Sequence, residues 1–220
     1  NADVVVSLDS DFMVEGPAAV RYSKAFAARR RVSGGDTRVA RLYAVESSPT
    51  HTGTLADHKV LLKPSLVDAF ARALAAELGI AGAGAQANPA LAKYESTIKA
   101  IAADLRAANG RAIVVAGDDT APAMHALAHA INAAIGAVGN AVTYTEPIEA
   151  RPANQRAELA ELVTAMNAGQ VKTLVILGVN PVYTAPADLN FAEAMKKVNW
   201  RLSNSTHFDE TAELCQWHVP

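Results

Sequence analysis

Short runs of uninterrupted apolar residues alternate along the chain with longer segments whose apolar positions recur at helical spacing. The clearest runs predict strands at 3–8, 39–45, 112–117 and 173–178, and weaker ones at 60–62, 142–145 and 200–203. The segments between them predict helices at 17–31, 66–78, 91–108, 121–135, 157–168 and 189–198. The pattern is therefore one of strands and helices in alternation.

The predicted strands lack the polar alternation of a half-exposed sheet, so we expect parallel strands buried on both faces. With right-handed crossovers, the fold class is α/β, a doubly wound, mostly parallel open sheet of Rossmann-like type flanked by helices. A Gly/Ala-rich stretch at 79–89 predicts a linker, which would divide the chain into 1–80 and 90–220. Because the chain opens with Asn1 directly before a strand, we expect it to be a piece of a longer protein.

Ligands of doubly wound sheets bind beyond the carboxyl ends of the strands, where this chain has small or polar loops. The loops after the predicted strands are 9–11, 46–48, 117–120, 178–181 and 204–206. Gly117 and Asp118 are candidate contacts, and 118–120 are also expected to cap the following helix. Loops are polar in any fold, so their polarity alone does not establish a site.

Composition and charge exclude several function classes. The formal net charge of the 220 residues is −2, which gives no electrostatic basis for nucleic-acid or anionic-membrane binding. The single cysteine, Cys215, can form no intrachain disulfide and cannot alone hold an iron–sulfur cluster. No apolar stretch approaches the roughly 20 residues of a membrane span.

The common catalytic motifs are absent from the sequence. There is no G-x-G-x-x-G after a strand, no Walker lysine and no nucleophile elbow. His125 and His129 share a helix face, and Cys215 lies near two further histidines, but neither group has a full ligand set, so no metal site is predicted. His51 and Asp57 follow Ser47, but nearness in sequence does not define a triad.

The last fifty residues carry the strongest candidate site. Gly178 at a strand end would let a ligand approach the backbone, and Asn180 could hydrogen-bond a base or sugar edge. Residues 209–211 are expected to begin a helix whose free N–H groups would suit an anion. The acidic residues there are equally explained as ordinary helix caps.

These segments resemble the molybdopterin oxidoreductase family. The resemblance lies in a strand ending in G-x-N-P at 178–181, then a helix, a strand, E-T-A at 210–212 and a closing Val-Pro at 219–220. It is best over 111–220, where the 115–117 strand end, the helix with Asn132 and the 136–139 glycine turn also match. The family position implies that the contacts of a guanine-dinucleotide pterin would be Gly178, Asn180, Pro181, Thr206, Asp209, Glu210, Thr211, Gly117 and Asp118.

Further segments are similar to one branch, the iron–sulfur subunit of alternative complex III. They are 3–12, 46–58, 180–188 and 215–218. The resemblance implies a domain without the molybdenum cofactor that supports a ferredoxin-like iron–sulfur domain and the membrane and cytochrome subunits of a respiratory complex. The clusters would then lie elsewhere in the parent chain, on the outer, periplasmic face of a membrane, and this chain alone would not be catalytic.

One departure from the family favours this branch. The family usually has a glycine-bearing loop after its first strand, but this chain has Asp9-Ser10-Asp11, two carboxylates that would repel a pyrophosphate. The alternative is the dinucleotide-binding domain of an active molybdenum enzyme, which a carboxylate-free crevice would favour. A crevice plugged by Phe12, Tyr183 or Trp217 would favour the domain without cofactor. An independent hydrolase or dehydrogenase rests on fold analogy alone.

Overall fold

The computed structural model describes residues 2–32, 39–148 and 153–220. The chain forms two compact units, Asn1–Thr145 and Glu146–Pro220. The glycine-rich stretch 79–89 lies within the first unit, where Ala83 joins the core. Each unit is built around its own parallel sheet.

The first unit has a parallel sheet of four strands in the order β3-β2-β1-β4. The strands are β1 (Val4–Leu8), β2 (Arg41–Glu46), β3 (His58–Leu61) and β4 (Ala112–Ala116). In register, Val6 of the central strand β1 lies between Tyr43 and Val114. The chain therefore adds strands on one side of β1 and then crosses to the other, as expected for a doubly wound sheet.

Helices cover both faces of this sheet. They are α1 (Ala19–Arg29), α2 (His51–Thr54), α3 (Pro64–Glu77), α4 (Glu95–Ala107) and α5 (Pro122–Ala134), with a 3₁₀ turn at Pro89–Tyr94. On one face, Val6 and Leu8 belong to a fully buried cluster with Phe70, Ile101 and Ile131. On the other face, Phe26 of α1 packs against a smaller cluster that contains Val5 and Leu42. The predicted α/β class with parallel strands between helices is confirmed.

A buried asparagine covers the outer edge of β4. The side-chain oxygen of Asn132 accepts a hydrogen bond from the N–H of Val114 at 2.8 Å, and its amide donates to the Val114 carbonyl at 2.8 Å. Asn132 lies on α5 and is almost fully buried. The side chain thus bonds the β4 backbone as a neighbouring strand would.

The second unit has a parallel sheet of three strands in the order β5-β6-β7. The strands are β5 (Thr173–Leu177), β6 (Trp200–Asn204) and β7 (Trp217–Val219), and the helices are α6 (Gln155–Asn167), α7 (Pro181–Thr184), α8 (Phe191–Lys196) and α9 (Glu210–Glu213). Leu174 and Ile176 of β5 pack against Met166 of α6 and Met195 of α8. The core of this unit thus lies on one face of its sheet.

The opposite face of the same sheet is apolar and exposed. The register pairs Val175 with Leu202 and Leu202 with Trp217, so these three side chains share one face. Val175 is 51% exposed, Leu177 66% and Trp217 60%. Parallel sheets are usually covered on both faces, so this exposure is unusual.

Several predicted elements differ from the structure. The predicted strand at 142–145 is wrong, since only an isolated bridge between Val138 and Val142 forms there. The predicted helix 189–198 is shorter, because Asn190 adopts a left-handed φ of 49° and separates the 3₁₀ turn Ala187–Leu189 from α8. Asp118 and its neighbours do not cap α5. The N-cap of α5 is Ala121, which makes no side-chain hydrogen bond to the helix, and Pro122 occupies the first turn.

Across the part of the chain that the structure describes, no helix is both long enough and apolar enough to cross a bilayer.

Candidate functional site

The loop after β1 is hydrogen-bonded to the loop after β2. One carboxylate oxygen of Asp9 accepts hydrogen bonds from the N–H of Ser47 at 2.8 Å and from its hydroxyl at 2.9 Å. Asp9 adopts a left-handed φ of 51°, which is tolerated best by residues with short polar side chains. The Asp9 carboxylate is therefore directed to the neighbouring loop of the same sheet.

Asp11 ties the same two loops together at a second point. Its buried carboxylate accepts hydrogen bonds from the N–H of Thr52 at 2.8 Å, the Thr52 hydroxyl at 2.7 Å and the N–H of His51 at 3.3 Å. Burial raises the pKa of Asp11, but the hydrogen bonds from Thr52 and His51 outweigh it and lower the pKa overall. Asp11 is thus an anion that satisfies the first N–H groups of α2.

A buried glutamate completes this contact. Glu46 ends β2, accepts a hydrogen bond from the Thr50 hydroxyl at 2.7 Å and lies 3.3 Å from the ammonium of Lys59. A β-carbon added at Gly53 would lie 2.1 Å from a carboxylate oxygen of Glu46, so any larger residue there would displace this carboxylate. The sequence predicted a polar loop from Glu46 onward, and nothing in its pattern indicated that this carboxylate is buried.

Gly117 serves a contact within the protein. A β-carbon at this position would lie 1.8 Å from the carbonyl oxygen of Asp9, which shows how closely the two backbones approach. The Gly117 N–H donates to the carbonyl of Leu8 at 2.9 Å. Asp118, the next predicted contact, is exposed. The point between β1 and β4, where a doubly wound sheet would open to a ligand, is therefore filled by the β1 loop.

Three predicted contacts in the second unit lie together at the carboxyl ends of β5 and β6. The Asn180 amide donates to a carboxylate oxygen of Glu210 at 2.7 Å, and its carbonyl accepts from the Thr211 hydroxyl at 2.7 Å. The fully buried Thr211 also accepts a hydrogen bond from the N–H of Val182 at 3.1 Å. The hydrogen bond from Asn180 lowers the pKa of Glu210. These residues therefore bind one another.

The other predicted contacts of this unit surround that cluster. Asp209 accepts a hydrogen bond from the N–H of Ala212 at 2.9 Å, so it is an ordinary cap of the short helix α9. Pro181 occupies the first turn of α7. Thr206 is exposed, and its hydroxyl lies 2.9 Å from Nδ1 of His207. Gly178 has a left-handed φ of 67°, and a β-carbon there would meet no atom within 4 Å, so this position alone is open.

Neither a metal site nor a catalytic triad forms among the described residues. No three His, Cys, Asp or Glu side chains in 2–32, 39–148 and 153–220 are arranged to hold an ion. Asp57 pairs with Arg30 at 2.7 Å rather than with His51. His129, which shares a helix face with His125, contacts the hydroxyl of Tyr144 at 2.9 Å.

The aromatic residues whose presence in the crevice would favour a domain without cofactor do not plug it. Phe12 lines a cavity on the α1 face of the first sheet. Tyr183 is 76% exposed, and Trp217 lies on the open face of the second sheet. The crevice is closed in the first unit by carboxylate hydrogen bonds and backbone contact.

Comparisons with known proteins leave the chain without an assigned family. No family model matches it, and no curated protein has significant sequence similarity to it. Functional arguments therefore depend on the geometry of the strand-end loops.

Proposed function

We propose that this chain is a molybdopterin-oxidoreductase-like domain of a respiratory electron-transfer subunit, and that it binds no molybdenum cofactor. Its role is architectural: it supports an iron–sulfur domain and partner subunits at the outer face of a membrane. The observation that carries the proposal is that the polar groups at the strand ends bind one another. The resemblance described above supplies the respiratory setting.

The first unit is unsuited to a pyrophosphate. A phosphate charge about 4 Å from a carboxylate would be repelled by about 4 kcal/mol at an effective dielectric constant near 20. Turning Asp9 or Asp11 away would break hydrogen bonds to a charged group, each worth about 1.5–3 kcal/mol. One cost or the other would be incurred, because Ser47 and Thr52 hold these carboxylates in place. The residues present do not fit the dinucleotide of the cofactor.

The second unit offers a ligand few unsatisfied polar groups. A guanine or ribose edge would have to displace Glu210 or Thr211 from the amide of Asn180. Beside Gly178, however, the space is open, so a ligand could approach the backbone there. An active, cofactor-binding domain would use this opening, so the test is directed at it.

The first experiment is calorimetric titration of the chain with GDP, which mimics the guanine-dinucleotide end of the cofactor. We expect no heat of binding up to millimolar concentrations. Binding in the micromolar range would overturn the proposal in favour of a cofactor-binding domain. The control is Thr206→Trp. Thr206 is exposed and follows β6, which pairs with β5, the strand that Gly178 directly follows. Loss of binding in this variant would assign that heat to the predicted site.

A second experiment tests the architectural role in the intact protein. Antibodies against this chain would isolate the parent protein from native membranes for metal analysis. We expect iron and copurifying cytochrome subunits, with no stoichiometric molybdenum. Stoichiometric molybdenum would overturn the absence of cofactor, and recovery without iron or outside the membrane fraction would overturn the respiratory assignment.

A further inference from the structure

An apolar cavity lies on the α1 face of the first sheet. Its volume is about 330 Å³, and its walls include Val5, Phe12, Phe26, Ile113 and Val115. The segment 141–143 also lines the cavity. This volume equals roughly eleven waters at ~30 Å³ each, which corresponds to a ligand of about a dozen non-hydrogen atoms.

A single cationic side chain, Arg29, lines the same cavity. Its guanidinium contacts one oxygen of Asp3, but Arg111 holds Asp3 in a two-point contact, at 2.7 Å to one oxygen and 3.1 Å to the other. Hydrogen bonding from Arg111, together with the charge of Arg29, lowers the pKa of Asp3, so this carboxylate is ionised at neutral pH. The two arginines thus share one carboxylate.

The sharing leaves part of the Arg29 guanidinium unsatisfied. Its Nε is buried and has no hydrogen-bond partner among the residues that the structure describes. A buried donor without an acceptor destabilises the protein, and more so when the group is charged. Arg29 lines the cavity and its side chain is 25% exposed, so a ligand in the cavity would approach this guanidinium. An oxygen anion from a ligand would satisfy that donor and pair with the charge.

We propose that this cavity is a binding site for a small amphipathic carboxylate, such as a medium-chain fatty acid. The apolar chain would lie against Phe26, Ile113 and Val115, and the carboxylate would pair with Arg29. Burial of the chain contributes about 25 cal/mol per Å² of apolar surface. A nucleotide or sugar does not suit the cavity, because the apolar walls would leave its polar groups without partners.

The probe is decanoate, below its micellar concentration, with decanol as the uncharged comparison. Methyl-labelled protein would report binding through the NMR shifts of Ile113 and Val115. We expect decanoate to bind at least tenfold more tightly than decanol. In Arg29→Met, which keeps the unbranched stem of the side chain but not its charge, the two ligands should bind equally. Equal affinities in the unaltered protein would disprove the pairing with Arg29.

A matched pair of variants on α1 locates the ligand independently of charge. Ala25 lines the cavity, whereas Ala27 on the same helix does not, and both are exposed. Alanine and leucine are both strong helix formers, so each Ala→Leu change should leave the protein folded. We expect Ala25→Leu to weaken decanoate binding at least tenfold and Ala27→Leu to leave it unchanged. Equal binding by both variants would place the ligand elsewhere and overturn the proposal.

Discussion

At the scale of single residues, the sequence could show that glycine is needed at position 117 but not which group approaches it. Glycine at a strand end is compatible with close approach of a ligand, and Gly117 was predicted on that basis. In the structure the atom that approaches Gly117 is the carbonyl oxygen of Asp9. Approach by a ligand and approach by the protein's own backbone both need a residue without a β-carbon. The sequence could therefore indicate the close approach but not the approaching group.

This contact makes Gly117 sensitive to the smallest substitution. Gly117→Ala would force the β1 loop to move, because the new β-carbon would lie 1.8 Å from backbone. We expect a loss of about 2–3 kcal/mol in the free energy of unfolding, in the upper range for overpacking. Urea denaturation measures the loss, with the exposed neighbour change Asp118→Ala as the control. Equal stability of the two variants would contradict the close contact.

Asp11 gives the protein a pH-dependent contribution to stability. Because the folded-state pKa is lowered, the contribution is complete above the unfolded value near 3.8 and is lost as the pH falls through the folded pKa. We expect Asp11→Asn to destabilise the protein by about 1–2 kcal/mol at pH 7, since the hydrogen bonds lose their charged acceptor. The difference from the unaltered protein should narrow at pH 3.

Urea unfolding at both pH values provides the measurement for Asp11. The exposed Asp119 supplies the control, since Asp119→Asn should change stability by less than about 0.5 kcal/mol at either pH. If Asp11→Asn destabilises the protein as much at pH 3 as at pH 7, the charge of this carboxylate does not contribute to the free energy of unfolding.

At the scale of elements, the sequence predicted strands better than it predicted their ends and caps. The four clear apolar runs all became strands, because uninterrupted apolar residues suit a parallel sheet. The predicted strand at 142–145 failed, since its few apolar residues find no partner strand. β7 was not predicted because three residues, Trp217–Val219, are too few to form a pattern.

The link between α5 and β4 is an element contact that depends on one side chain. Asn132→Leu would keep the apolar packing of α5 but leave the N–H and carbonyl of Val114 without partners. We expect a loss of about 2–6 kcal/mol, from two buried backbone groups at about 1–3 kcal/mol each. Thermal unfolding measures it, and Asn140→Ala, at an exposed asparagine, is the control. A loss below 1 kcal/mol would show that water replaces the side chain.

At the scale of the whole molecule, the sequence indicates which strand ends share an edge but not what their polar groups bind. Parallel strands bring their carboxyl ends to one edge, so the sequence could predict that Asn180 and Thr211 lie close together. It could not predict that their polar groups bind one another. That outcome depends on distances of a few tenths of an ångström, which no spacing along the chain specifies.

The division into two units predicts different behaviour of the two parts in isolation. Residues 1–145 have a core covered on both sheet faces, so we expect this fragment to unfold cooperatively by itself. Residues 146–220 carry the exposed face of Val175, Leu177 and Trp217, so we expect that fragment to bind a hydrophobic dye. Circular dichroism and dye fluorescence measure both properties.

Position-matched variants control the dye experiment. Leu177→Lys, on the exposed face, should reduce dye binding with little loss of structure, whereas Ile176→Lys should unfold the fragment because Ile176 is buried. Unchanged dye binding by Leu177→Lys would show that the dye binds elsewhere.

The bond between Asn132 and β4 also affects aggregation. A free strand edge is a template for other chains, and here the side chain that blocks it belongs to a helix. Any local opening that detaches α5 therefore uncovers the β4 edge in the same event. The susceptibility of this sheet to pairing between molecules is then set by the opening frequency of one helix, which hydrogen exchange of the Val114 amide would report directly.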